Sequence, residues 1–213
     1  MNFGEFLKSL SKIKNIPLPA EDSQFKMAPP FREALLESHK NDIKDAKQAG
    51  VLALFYPNNI HETTLVLILR KTYKGVHSAQ VGFPGGKLES GDASLKEAAI
   101  RETFEEVGVP INTIEIIKTL SYVYIPPSNF YVQPFLGITK QTPQFIKQDD
   151  EVEAIIEVPL KHLLDENRVR KKTVSTSYSI DVEVPAFKLN GHVVWGATAM
   201  MLSEIKDMLK QLM

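Results

Sequence analysis

The chain has 213 residues, 43% of them apolar, a formal net charge of -1 and no cysteine. That length supports one sizeable core, or one domain with an appendage. The charge excludes long electrostatic tracking along nucleic acid, and the missing thiols exclude a disulfide scaffold and a thiolate zinc site. Residues 1–5 lack the basic start and apolar run of a signal peptide, and no apolar run approaches membrane-spanning length. The expectation is a cytoplasmic protein with neither nucleic acid nor membrane as partner.

Phe3, Phe6, Leu7, Leu10 and Ile13 recur at helical spacing and predict a short amphipathic helix over residues 2–14. Pro17 and Pro19 end it. A second helical segment over residues 32–47 is polar on most sides and closes at Gly50. Residues 1–48 therefore read as an N-terminal helical extension, packed on the domain of residues 49–213 or serving as the arm of a homodimer.

Strand texture begins with residues 51–56 and 64–70, apolar β-branched runs separated by Pro57-Asn58-Asn59. Further strands are expected over residues 114–125 and 130–139, around Pro126-Pro127-Ser128-Asn129, and over 153–158. Pro159 would open a helix over 160–167. Residues 174–184 and 185–195 read as strands, with Asn190-Gly191 a type I′ hairpin turn. A terminal amphipathic helix spans 197–212. Strands sandwiched by a few helices give an α/β or α+β layered domain.

The most informative stretch is residues 85–109, a glycine turn feeding a helix. Ser94 with Glu97 forms a capping box, Asp92 is a competing cap and Gly108 is the stop. Leu95, Ala99, Ile100, Thr103, Phe104 and Val107 would face a core. Glu102, Glu105 and Glu106 stand at i, i+3 and i+4 and share one face. Crowded carboxylates at a helix C-terminus repel one another and oppose the macrodipole. A hard divalent cation removes both costs, so the three read as ligands for Mg2+ or Mn2+. Such a site would neutralise a substrate's phosphates and position water for in-line attack on phosphorus.

This stretch resembles the Nudix box, with Gly86, Arg101, Glu102, Glu105, Glu106, Gly108 and Val109 at matching positions. It departs in having Asp92 for the first glutamate, one extra residue before Arg101, and Thr103 at an aliphatic position. The resemblance implies a mixed β-sheet flanked by helices, an α/β/α sandwich, and a nucleoside diphosphate derivative cleaved within its pyrophosphate. It implies Glu102, Glu105 and Glu106 as metal ligands. Glu102, Arg101 and Glu105 are the catalytic candidates, Glu102 taking the water proton while Arg101 orients it. In several members the base comes from a downstream loop, which here points to Glu151 or Glu153.

The spacing with Asp92 is similar to one branch, the coenzyme A diphosphatases. Arg70 and Phe83-Pro84-Gly85-Gly86 match the motif preceding that branch's box, and His77 and Gln80 stand where bacterial members place His and Gln. Arg70, His77, Gln80, Gly85 and Gly86 are therefore the substrate-binding candidates. Gly75 replaces the motif's second arginine, and Ala79 its glycine. ADP-ribose, NADH or a nucleoside triphosphate are rival substrates, and a non-catalytic nucleotide sensor is the rival class.

Overall fold

The computed structural model describes residues 1–72, 80–174 and 181–212. Among the described residues eight strands form the main sheet: β1 (Lys47–Pro57), β2 (Thr63–Arg70), β3 (Val81–Gly82), β4 (Gly85–Lys87), β5 (Glu115–Thr119), β6 (Val123–Ile125), β7 (Phe130–Ile138) and β8 (Val152–Pro159). Its spine runs β3-β2-β1-β7-β5, with β4 on β1, β6 on β7 and β8 on β2. The β1–β7 pair is parallel and its neighbours are antiparallel, so the sheet is mixed. A second sheet of three strands holds β9 (Val169–Val174), β10 (Val182–Leu189) and β11 (His192–Trp195).

The apolar runs of β1 and β2 are continuous because both faces of the sheet are covered. One face carries Leu52, Leu54, Tyr56, Val66 and Ile68 against α4 (Leu95–Val107), through Ala99 and Val107. The opposite face carries Ala53, Phe55, Leu65 and Leu67. There it meets Phe6 and Ile13 of α1 (Phe3–Asn15) and Met201 and Ile205 of α6 (Gly196–Lys210). Short helices α2 (Ala20–Gln24), α3 (Arg32–Ser38) and α5 (Leu160–Leu164) complete the layers. The result is the expected α/β arrangement of helices around a mixed sheet. Among the described residues no helix is long and apolar enough to cross a membrane.

Several expected boundaries move. The second helix stops at Ser38, and residues 42–45 form a 3-10 turn. Lys47 and Gln48 are drawn into β1 by parallel pairing with Phe130 and Tyr131. The strand expected over 114–125 breaks into β5 and β6, because the Ser121 N–H turns away to donate to the buried carboxylate of Glu204 at 3.3 Å. Pro159 ends β8 with extended backbone rather than opening the helix's first turn, and α5 closes at Leu164. Val174 pairs with Val182, so the strand expected across 174–184 is two arms of a hairpin. Strand β9 escaped the sequence reading because its residues are mostly polar and exposed. Asn190 and Gly191 both have positive φ, as a type I′ turn requires.

Candidate metal and phosphate site

The site is built where α4 crosses β1 and β4. Gly50 permits the crossing: a Cβ there would lie 2.0 Å from the Leu95 carbonyl oxygen. At the helix start, Ser94 Oγ accepts from the Glu97 N–H at 3.3 Å. The Glu97 carboxylate accepts from the Ala93 N–H rather than from that of Ser94, so the expected reciprocal box lands one residue early. Gly108 closes the helix in left-handed conformation, φ 76°. The buried stripe runs through Ala99, Thr103, Glu106 and Val107, whereas Phe104, expected in the core, is 47% exposed. Thr103 is tolerated there because its hydroxyl donates to the Ala99 carbonyl at 2.6 Å.

Asp92 is not a cap of α4. Its carboxylate takes Arg101 in a fork, Nε to Oδ1 at 2.9 Å and Nη2 to Oδ2 at 3.0 Å. Arg101 also donates to Glu102 Oε1 at 3.1 Å, Glu105 Oε2 at 2.9 Å and the Lys87 carbonyl at 3.3 Å. The three acids raise the Arg101 pKa, Asp92 most, and Arg101 holds Asp92 below the usual carboxylate range.

Glu106 lies at the bottom of the site, 1% exposed. Its Oε2 accepts from the Gly85 N–H at 2.8 Å. Its Oε1 stands 3.4 Å from Arg70 Nη2, near enough for ion pairing, yet is buried without a hydrogen bond. Burial pushes the Glu106 pKa up to about 7, outweighing Arg70 and the Gly85 N–H. Glu102 is also raised, chiefly by burial, with Arg101 opposing. A Cβ at Gly86 would lie 2.3 Å from Glu102 Oε1, so only glycine lets that carboxylate sit against β4.

Carboxylate oxygens of Glu102, Glu106 and Glu151 come within 4.8 Å of one another. The loop carrying Glu151 is tied to the end of α4: the N–H groups of Ile146 and Gln148 donate to the Val107 and Glu106 carbonyls. Gln148 Oε1 then accepts from the Glu151 N–H at 2.7 Å. Glu105, by contrast, is half exposed and turned toward Arg101. Glu153 is outside the trio. The residues fit a divalent cation, since the donor set is all oxygen, one donor atom is buried and unsatisfied, and the like charges otherwise repel.

Of the substrate candidates, Arg70 donates to the Gly85 carbonyl at 2.7 Å and so braces the start of β4. Gly85 and Gly86, expected in a turn, instead open β4 and pair with Val51 and Gly50, Gly85 with φ 143°. The Gln80 carbonyl accepts from the Arg70 N–H at 3.0 Å. His77, with Gly75 and Ala79, lies outside the described residues. The resemblance offered Glu151 or Glu153 as the loop acid; the fastening of the loop to α4 brings Glu151 to Glu102 and Glu106.

Residues 46–177 match the sequence model of the NUDIX domain. A relative named "Uncharacterized Nudix hydrolase NudL", from Enterobacter sp. (strain 638), is 33% identical over 168 residues, covering 77% of this chain and 83% of the relative. A relative of the same name from Yersinia pestis (strain Pestoides F) is 30% identical over 144 residues, covering 68% and 71%. Among solved structures, a MutT/nudix family protein from Enterococcus faecalis overlays with TM-score 0.47 and 16% identity, over 78% of this chain and 62% of that one.

Proposed function

The chain belongs to the Nudix hydrolases, enzymes that act on pyrophosphate bonds of nucleoside diphosphate derivatives, and from that premise we propose that it cleaves coenzyme A or an acyl-CoA. The products are 3′,5′-ADP and 4′-phosphopantetheine or its acyl form. What supports this substrate is the sequence pattern Arg70 … Phe83-Pro84-Gly85-Gly86 … Asp92, which resembles that branch.

The chemistry rests on one observation, the convergence of Glu102, Glu106 and Glu151 around the unsatisfied Glu106 Oε1. These residues would hold Mg2+ or Mn2+, which when bound neutralises diphosphate charge and acidifies a water. Glu105, half exposed and paired with Arg101, would be a further ligand at the rim of the site. Arg101 steadies Glu102 through Oε1, and Glu102 takes the proton of the attacking water. Gly85 and Gly86 let the backbone approach the phosphates closely.

The replacement of the motif's second arginine by Gly75 favours a second reading, with ADP-ribose, NADH or a nucleoside triphosphate as substrate. Chromatographic product analysis with Mg2+ or Mn2+ separates the readings. Release of 3′,5′-ADP from CoA, faster than cleavage of the other three, is the expected result. Faster cleavage of another compound moves the substrate and keeps the chemistry. Silence on all four, from folded protein, points to a nucleotide sensor.

A further inference from the structure

The C-terminal end of α4 leaves carbonyl groups that no intrahelical N–H reaches. Two of them are taken by the loop that follows β7: the Ile146 N–H donates to the Val107 carbonyl at 3.0 Å and the Gln148 N–H to the Glu106 carbonyl at 3.1 Å. The loop therefore runs along the helix end. Gly108 leaves room for it, since a Cβ there would lie 2.8 Å from Ile146 Cβ. Glu106 is thus tied to this loop by its backbone and faces the candidate metal site with its side chain.

At Gln148 the loop turns. The Gln148 carbonyl accepts from the Val152 N–H at 3.0 Å, closing one helical turn, and its side-chain Oε1 accepts from the Glu151 N–H at 2.7 Å. An acceptor three residues before the N–H it takes has the geometry of a helix cap, a position usually filled by the shorter Ser, Thr, Asp or Asn. Here the half-buried Gln148 fills it, and the turn it caps carries Asp149, Asp150 and Glu151. The Glu151 peptide is held from its other side as well, its carbonyl accepting from the Lys71 N–H at 2.8 Å, just past β2. Asp149 is paired with Lys147 at 2.7 Å; Glu151 is the acid of this turn that meets Glu102 and Glu106.

Glu151 is exposed, and carboxylates brought together without a cation repel one another. A free loop would answer by swinging Glu151 into solvent, and a cation would then have to order it at an entropic cost. We propose that Gln148 is a positioning residue for the metal centre. By joining the Glu106 carbonyl to the Glu151 N–H it sets two ligands on one hydrogen-bonded backbone link, so that the site is formed before the cation arrives. This rests on the reading above that Glu102, Glu106 and Glu151 hold the cation, and it deepens that reading by naming what places the third of them. Gln148 acts through Glu151 and not on the substrate.

The test is Mn2+ binding to the protein without substrate, followed by the spin resonance of the free ion. It compares wild type, Gln148→Met, Gln148→Glu, Glu151→Gln and the double variant Gln148→Met with Glu151→Gln. Methionine keeps the length of the side chain and removes the amide oxygen, whereas glutamate keeps an acceptor. Gln148→Met should weaken Mn2+ binding about tenfold, the usual effect of removing a partner of a metal ligand. Gln148→Glu should restore most of that loss. Glu151→Gln should weaken binding at least as much as Gln148→Met, and the double variant no further, because the effect of Gln148 passes through Glu151. Unchanged affinity in Gln148→Met beside weakened binding in Glu151→Gln overturns the positioning role and spares the metal site. Losses that add in the double variant, or a Gln148→Glu as weak as Gln148→Met, overturn the role too. Unchanged affinity in Glu151→Gln takes Glu151 out of the metal site, and the positioning role falls with it.

Discussion

Asp92 and Arg101 face each other through two parallel hydrogen bonds, 2.9 and 3.0 Å, although nine positions separate them along the chain. Asp92 lies before the helix and Arg101 on its second turn, so the loop must fold back to close the fork. Asp92→Asn removes the charge while keeping the shape. It is expected to cost about 1.5–3 kcal/mol of stability, the usual worth of hydrogen bonds to charged groups. It should lower kcat more than KM, because Arg101 then loses the anchor that aims it at Glu102. Thermal melting and steady-state kinetics check both effects.

Glu106 gives a pH signature. Its folded pKa of about 7 stands above the ordinary carboxylate value of 4.5. The folded state thus binds the extra proton, and its contribution to stability is fully present below about 4.5 and lost as pH rises through about 7. Metal-free protein should accordingly be more stable at pH 5 than at pH 8, by roughly 3 kcal/mol at most from this group. Mg2+ should stabilise the protein more at pH 8 than at pH 5. Denaturant titrations with EDTA and with Mg2+ measure this; a metal-free stability that rises across that interval contradicts it.

Glu106→Gln replaces the buried carboxylate with a neutral group of the same shape. Turnover should fall by at least about a hundredfold, roughly 2.7 kcal/mol of transition-state stabilisation. The metal-free variant should melt higher than wild type at pH 8, since the buried charge at this position is gone. Retention of activity would remove Glu106 from the metal site.

Two glycines of the site should answer differently to alanine. At Gly50 the new Cβ meets the Leu95 backbone at 2.0 Å, and a helix must move. Gly50→Ala should cost about 1–3 kcal/mol or more. At Gly86 it meets the mobile end of the Glu102 side chain at 2.3 Å. Gly86→Ala should fold nearly normally and lose activity, because Glu102 is pushed from its place beside Arg101. Parallel melting and activity assays distinguish the two.

The N-terminal extension can be tested through Phe6, which is 0% exposed and packs on Phe55 with ring centroids 5.3 Å apart. Phe6→Ala should cost about 3–5 kcal/mol in the global unfolding transition. A small effect confined to residues 1–46 would mean that α1 docks as a separable arm.

Local chemistry in the sequence determined much of this protein. The helix over 95–107, its Ser94 cap and Gly108 stop depend on neighbours a few residues away, and so does the Asn190-Gly191 turn. The clustering of acids on one helix face follows from the 3.6-residue period, and with the box it marked both family and chemistry. The helical period did not say how the face is shared. Tertiary packing buried Glu106, left Glu102 half-buried and turned Glu105 outward to Arg101. It also brought Glu151 to the site through backbone bonds to the end of α4, and it broke residues 114–125 at a buried Glu204.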